Sequence, residues 1–201
     1  DVKYAEELGF RIKHLGIARR AATGIELRVH PTLIPTEELL ANVNGVKNAV
    51  LVQSNAVGPT LYYGAGAGAG PTASAVVADI VDIVRDIIYT EDGAGTIPQL
   101  AFENLTDLPI LSREEMTTGY YIRINADDQT GVLAEVTSIL SRNGISIDAI
   151  MQQSRLKDLI PIVILTDPVK EAKMDEALKQ IQALPVIHGE IVRIRLESLD
   201  N

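Results

Sequence analysis

Residues 119 to 196 switch repeatedly between two hydrophobic periods, and the order of the switches leaves a folded chain few arrangements. Gly119 to Ala126 repeats every second residue, with Tyr120, Ile122 and Ile124 on one side and Tyr121, Arg123 and Asn125 on the other. Val132, Leu133, Val136, Ile139 and Leu140 then follow a helical period, which Asn143-Gly144 stops. Ile145 to Gln152 and Ile160 to Thr166 read as two more strands. Asp167-Pro168 supplies a cap and first-turn pair for a helix with Met174, Ala177, Leu178 and Ile181 on one face. Val186 to Leu196 closes the segment, with Val192, Ile194 and Leu196 alternating. The order βαββαβ predicts a ferredoxin-like layout, an antiparallel sheet with its helices on one side.

The first ninety residues are less regular. Val2 to Leu8 reads as the end of a helix, with Gly9 as its left-handed stop. Phe10 to Ala18 and Ile25 to Ile34 read as strands around a turn at 21–24. Arg28 and His30 alternate with Leu27 and Val29, which makes one face wet and the other packed. Pro35, Thr36, Glu37 and Glu38 start a short helix that ends near Asn44-Gly45, followed by strands at Val46 to Ser54 and Leu61 to Tyr63. The run GAGAGAG, Gly64 to Gly70, then leads through Pro71-Thr72 into a long helix reaching about Tyr89. Its strong charges, Asp79, Asp82, Arg85 and Asp86, share one stripe, and the remaining Ala, Val and Ile predict a helix largely buried against the sheet. Periodicity disappears from Glu91 to Glu115, where Gly93, Gly95, Pro98 and Pro109 mark a linker. The expected fold is therefore α+β: a partial mixed sheet with packed helices over residues 1–112, then the ferredoxin-like domain over 113–201.

Composition removes several classes of function. A formal charge of −9 opposes general nucleic-acid binding, which needs cations to displace counterions, and opposes docking on anionic lipid. There is no Cys, so disulfides and thiolate metal sites are excluded, and a cytoplasmic location fits. The most apolar stretch, Ala73 to Tyr89, is broken by four charges and makes a poor membrane span. The three histidines are far apart, and no pair has the helical spacing of a zinc site. The chain opens on Asp1, without an initiator Met or a signal-peptide pattern, and reads as a part of something longer.

Two glycine-containing turns are candidate binding sites. In Asp128-Gln129-Thr130-Gly131-Val132-Leu133, a glycine at a helix N-terminus lets backbone approach a ligand, and the free N–H groups there can receive a carboxylate. A tight strand-to-helix turn with no ligand accounts for the same residues. The GAGAGAG run between a strand and a helix can cradle phosphate. It is neither a Walker loop, lacking Gly-Lys-Ser/Thr, nor a full dinucleotide fingerprint, and close backbone packing explains it equally well. Glu6 and Glu7 point in different directions on a helix, Asp79, Asp82 and Asp86 suit a solvated face, and Arg19-Arg20 suits a solvated turn.

The surrounding residues carry resemblances. The βαββαβ order with D-x-x-G-V-L at 128–133 and NGISI at 143–147 resembles an ACT domain, with Thr130 where that family usually has Pro. The resemblance implies an amino-acid ligand bound by Asp128, Gly131, Val132 and Leu133 between paired copies. The run LYYGAGAGAGPTASAVVADIVDIVRD, with the opening DVKYAEELGFRIKHLGIARR, resembles homoserine dehydrogenases. That resemblance implies interconversion of L-homoserine and L-aspartate 4-semialdehyde in threonine and methionine biosynthesis. It implies NAD or NADP as cofactor, bound mainly by an N-terminal nucleotide-binding domain, and here assigns only Gly68 to cofactor contact. It also implies threonine as feedback effector and a homo-oligomer formed through the sheet and the ACT domain. The catalytic lysine and the substrate carboxylates are expected upstream of Asp1; Lys3, Lys13 and Lys47 do not match, so no catalytic residue is assigned and the 201 residues alone are expected to be inactive. The alternative is a stand-alone amino-acid-binding module with no catalytic activity.

Overall fold

The alternating segments at 119–196 build an antiparallel sheet, and that sheet continues into the first forty residues. The computed structural model describes residues 1–89, 106–152 and 159–199. In chain order it contains α1 (Val2–Glu7), β1 (Phe10–Arg20), β2 (Ile25–Pro35), a 3-10 turn (Leu39–Asn42), β3 (Lys47–Ser54), β4 (Gly58–Ala65) and α2 (Ala69–Tyr89). A 3-10 turn at Arg113–Glu115 follows, then β5 (Thr117–Asp127), α3 (Val132–Arg142), β6 (Ile147–Gln152), β7 (Leu159–Lys170), α4 (Glu171–Gln182) and β8 (Val192–Leu196). Residues 1–41 with 108–201 form one compact unit, and residues 42–107 form another. Composition places a boundary near 112; in space, the opening segment before residue 42 is built together with everything after 108.

In the larger unit the strand order is β1-β2-β8-β5-β7-β6. The last four strands are the antiparallel β8-β5-β7-β6 set of the βαββαβ motif, and β2 extends them by pairing parallel to β8 at Thr32–Arg195 and Leu33–Leu196. The period of two along β5 splits its residues between two cores. Tyr120, Ile122 and Ile124 pack with Val136 and Leu140 of α3 and with Met174, Ala177 and Ile181 of α4. Tyr121 packs on the opposite face with Val163, Leu165 and Leu33, beneath Ala5 of α1. Each fully buried aliphatic side chain stabilises the fold by about 1.5–3 kcal/mol, so the alternation alone specifies which way β5 faces.

Several sequence expectations change. On β2 the packed face is the polar one: Glu26, Arg28, His30 and Thr32 are buried, while Leu27 and Val29 are 48% and 72% exposed. Asp167-Pro168 does not start a helix. β7 runs on to Lys170 because Val169 and Lys170 pair with Thr118 and Thr117, and the register shift between Thr118 and Tyr120 leaves room for a residue without an N–H. The helix begins at Glu171, whose N–H donates to the Met116 carbonyl at 2.8 Å. The acidic start at 35–38 yields only the four-residue 3-10 turn, and the final strand shrinks to Val192–Leu196. Gly93, Gly95 and Pro98 of the linker lie outside the described residues.

The smaller unit holds the β3–β4 ladder, in register from Lys47–Ala65 to Ser54–Gly58, and α2. The expected burial of α2 is not found. Val76, Val77, Ile80, Val81, Ile83, Val84, Ile87 and Ile88 are each at least 40% exposed, because a two-stranded ribbon cannot cover a helix that is apolar on most sides.

The tip of the β1–β2 hairpin is fixed by close backbone contact. Ile25 N–H donates to the Pro109 carbonyl at 2.8 Å, and Leu111 N–H to the Ile25 carbonyl at 2.9 Å. A Cβ on Gly24 would fall 2.2 Å from that same Pro109 oxygen. Gly24→Ala is therefore expected to lower stability by about 1–3 kcal/mol in urea titration. Gly64→Ala, where an added Cβ meets nothing, is the matched control; equal midpoints for the two would remove the steric explanation.

Candidate functional site

The strand-to-helix turn at 127–133 is shaped by its own backbone. Gln129 N–H donates to the Asp127 carbonyl at 2.9 Å, and Gly131, at φ +94°, caps α3 with its carbonyl receiving Glu135 N–H at 2.9 Å. That φ lies in the left-handed region, so a side chain there is strained although nothing occupies the space a Cβ would fill. Val132 is 6% exposed and anchors the turn in the core, with Leu133 packed partly beside it. Asp128 is exposed. Gly131 stands at the N-cap of α3 and brings no side chain of its own to that helix end. The four residues assigned to a ligand thus form one contiguous backbone-lined corner with apolar support below it. His188, absent from the sequence assignment, closes its edge: Nε2 lies 2.7 Å from Asp127 Oδ1, while His188 N–H donates to the Asn125 carbonyl.

The glycine-rich segment in the smaller unit is open. Gly68 has φ +122°, its carbonyl accepts Thr72 N–H at 3.1 Å, and the whole run from Gly64 to Gly70 is exposed. Added Cβ atoms at Gly64 and Gly70 would meet nothing, so those positions are not glycine because of neighbours in this chain. Gly66 differs: a Cβ there would collide with the Asn48 side chain, and its N–H donates to the Val46 carbonyl. The close-packing explanation therefore holds for Gly66 and fails for Gly64 and Gly70.

The strongest electrostatic feature was not singled out from sequence. Glu171, at the start of α4, is completely buried. It receives Tyr120 Oη at 2.7 Å and both Nε and Nη2 of Arg195 at 2.9 and 2.5 Å, with Arg193 Nη2 at 3.3 Å. Burial disfavours its charge, but the hydrogen bonds from Arg195 and Tyr120 and the charges of Arg195 and Arg193 outweigh that and hold the carboxyl below its usual range. One turn on, Asp175 pairs with Arg193 and with Arg113 at 2.6 Å. A carboxylate so fully committed to cations is structural, not a general acid or base.

Other candidates resolve as ordinary contacts. Lys3 and Glu7 form an i,i+4 pair and Asp82 pairs with Arg85. Arg19 is not in a solvated turn but pairs with Glu197 at 2.9 Å. Among the described residues no group of three or more His, Asp or Glu side chains is placed to hold a metal, and no helix is long and apolar enough to cross a membrane.

Comparison with known proteins finds two matching segments. The homoserine dehydrogenase family profile matches residues 1–81, and the ACT-domain profile matches 120–186. Homoserine dehydrogenase from Pseudomonas aeruginosa is 53% identical over 204 residues, covering all of this chain and 46% of that protein. The Neisseria gonorrhoeae protein of the same name is 50% identical, over 99% of this chain and 46% of its own length. A crystal structure of a homoserine dehydrogenase from Thiobacillus denitrificans superposes with a TM-score of 0.90 at 55% identity, covering all of this chain and 45% of that one. The chain thus spans a little under half the length of the relatives it matches.

Proposed function

Since the chain belongs to the homoserine dehydrogenase family, we propose that it forms the substrate-side and regulatory part of an enzyme interconverting L-homoserine and L-aspartate 4-semialdehyde by hydride transfer to or from NAD or NADP. In this reading residues 1–112 belong to the substrate and dimerisation domain and residues 113–201 to an ACT regulatory domain. The observation that carries it is the open, glycine-lined corner at 64–70 leading into α2, whose apolar side chains are exposed along its length. Exposed apolar surface of that extent marks a docking site. The natural occupant is the nucleotide-binding portion that the relatives' remaining length supplies. Gly68 then meets the cofactor, where a bare backbone permits close approach. The proton-transfer lysine and the substrate carboxylates belong to that other portion, and the assembly is a cytoplasmic homo-oligomer.

The α3 corner supports an amino-acid effector, with threonine the expected one. Its carboxylate suits the positive N-terminal end of α3, which opens on Gly131, and its small side chain suits the apolar floor at Val132. Inhibition follows only if threonine prefers one of two conformations of the enzyme.

The test pairs the 201-residue chain with a longer gene product containing it. The chain alone is expected to show no turnover with homoserine and NADP, and the longer product is expected to turn over. In the longer product Gly131→Asp, which puts a strained side chain and a like charge at the carboxylate position, is expected to abolish inhibition by threonine. Turnover by the chain alone sinks the division of labour; inhibition of the variant at wild-type threonine concentrations sinks the effector site.

A further inference from the structure

A buried ion-pair cluster joins the two family segments at a place that neither match explains. β8 lies beyond the ACT match at 120–186, yet it completes that domain's sheet and pairs with β2 of the opening segment. The residue just after it, Glu197, is 6% exposed. Its N–H donates to the Leu33 carbonyl at 3.0 Å. One carboxylate oxygen takes Arg19 Nη2 of β1 at 2.9 Å, the other takes Arg28 Nη2 of β2, and Thr118 Oγ1 of β5 stands 3.4 Å from the latter. Arg28 in turn holds Glu26 at 2.7 Å, which balances the cluster at two cations and two anions.

Burying such a cluster costs desolvation that apolar residues of similar volume would avoid. What ion pairs supply instead is a single geometry, because a displaced carboxylate would leave the buried Arg28 with one of its two anions and deprive Arg19 of its buried partner. The parallel pairing between β2 and β8 covers only two residue pairs, so the ladder by itself would register the hairpin weakly. We propose that Glu197 is a positioning residue that locks the β1–β2 hairpin to the ACT sheet and transmits to the hairpin any change that an effector makes in that sheet. The locking stands on the contacts above; the transmission rests on the amino-acid-sensing reading of the ACT domain.

Hydrogen–deuterium exchange on the 201-residue chain separates the two. Glu197→Gln is expected to speed exchange of amides in residues 10–35 by at least about tenfold while β5 and β7 keep wild-type protection. Should that variant fold poorly, the triple variant Glu26→Gln/Arg28→Met/Glu197→Leu leaves no buried charge of the cluster without a partner and is expected to keep the wild-type melting temperature while loosening the same hairpin. Unchanged hairpin exchange in both variants, or uniform loss of protection across the sheet, overturns the locking role. With L-threonine added, wild-type hairpin amides are expected to change protection and those of Glu197→Gln to remain as without it. Equal changes in both chains overturn the transmission. Absence of any threonine-dependent change at 127–133 in the wild type instead counts against the effector reading and leaves the lock to be judged by the first comparison.

Discussion

Replacing Glu171 by Gln is expected to lower the stability of the chain by about 3–5 kcal/mol, more than any other single side-chain change considered. The amide keeps the shape and one acceptor but removes the charge that Arg195 and Arg193 surround. Arg195 is then left with a 16% exposed side chain and no counter-ion, and Tyr120 loses its charged acceptor. A domain of this size has about 5–15 kcal/mol in all, so the variant would sit near the edge of folding. Glu171→Met combined with Arg195→Met removes both charges together and is expected to recover much of the loss. Urea midpoints of the wild type, the single variant and the double variant decide it; a double variant no better than the single would show that packing, not stranded charge, is the cause. The same carboxylate sets an acid limit. Its folded pKa lies below the unfolded value of about 4.3, so its contribution is complete above that pH and is lost as pH falls through the folded pKa.

The contacts that make Glu171 and Glu197 important are those that sequence periodicity cannot show. Tyr120, Ile122 and Ile124 announce their core by spacing alone, because their partners on α3 and α4 follow the same hydrophobic rule. Arg28 and Glu197 stand 169 positions apart, and no local pattern relates them. A reading of β2 from its own residues assigns Arg28 and His30 to water and Leu27 and Val29 to the core, which is the reverse of the burial found, where Arg28 meets the buried Glu197. Asp167-Pro168 misleads for a related reason. The pair carries a local helix-start signal, and the cross-strand ladder from Thr117 and Thr118 overrides it. The corner at 128–133 was legible because its chemistry is local: a left-handed glycine opening a helix needs no distant partner. Its edge contact from His188, sixty-one residues away, was not. The α2 helix shows a third kind of failure. Its apolar sequence predicts burial against the sheet, yet those side chains stand exposed, because a hydrophobic pattern does not say what packs against a helix.

Two tyrosines on neighbouring positions of β5 set the alkaline limit. Burial pushes the Tyr121 phenol up to about 12, against the opposing charge of Arg123, and its hydroxyl donates to Asp1 Oδ1 at 2.8 Å. Tyr120 is raised further, by burial first and then by the hydrogen bond to Glu171 and the charge on it. An unfolded tyrosine loses its proton near pH 10, so above that pH the unfolded chain releases protons that the folded one retains. Stability is therefore full below about pH 10 and falls as pH rises toward the folded values. A displacement of about two units at Tyr121 alone corresponds to about 2–3 kcal/mol by pH 12, with Tyr120 adding to the loss. Unfolding measured in urea between pH 8 and 12 should show this slope in the wild type. Tyr121→Phe should be somewhat less stable at pH 8, having lost the bond to Asp1, but its stability should fall less steeply above pH 10. Parallel pH profiles for the two proteins would mean that Tyr121 ionises without opening the sheet, and that the alkaline limit lies with Tyr120 and the Glu171 cluster beneath it.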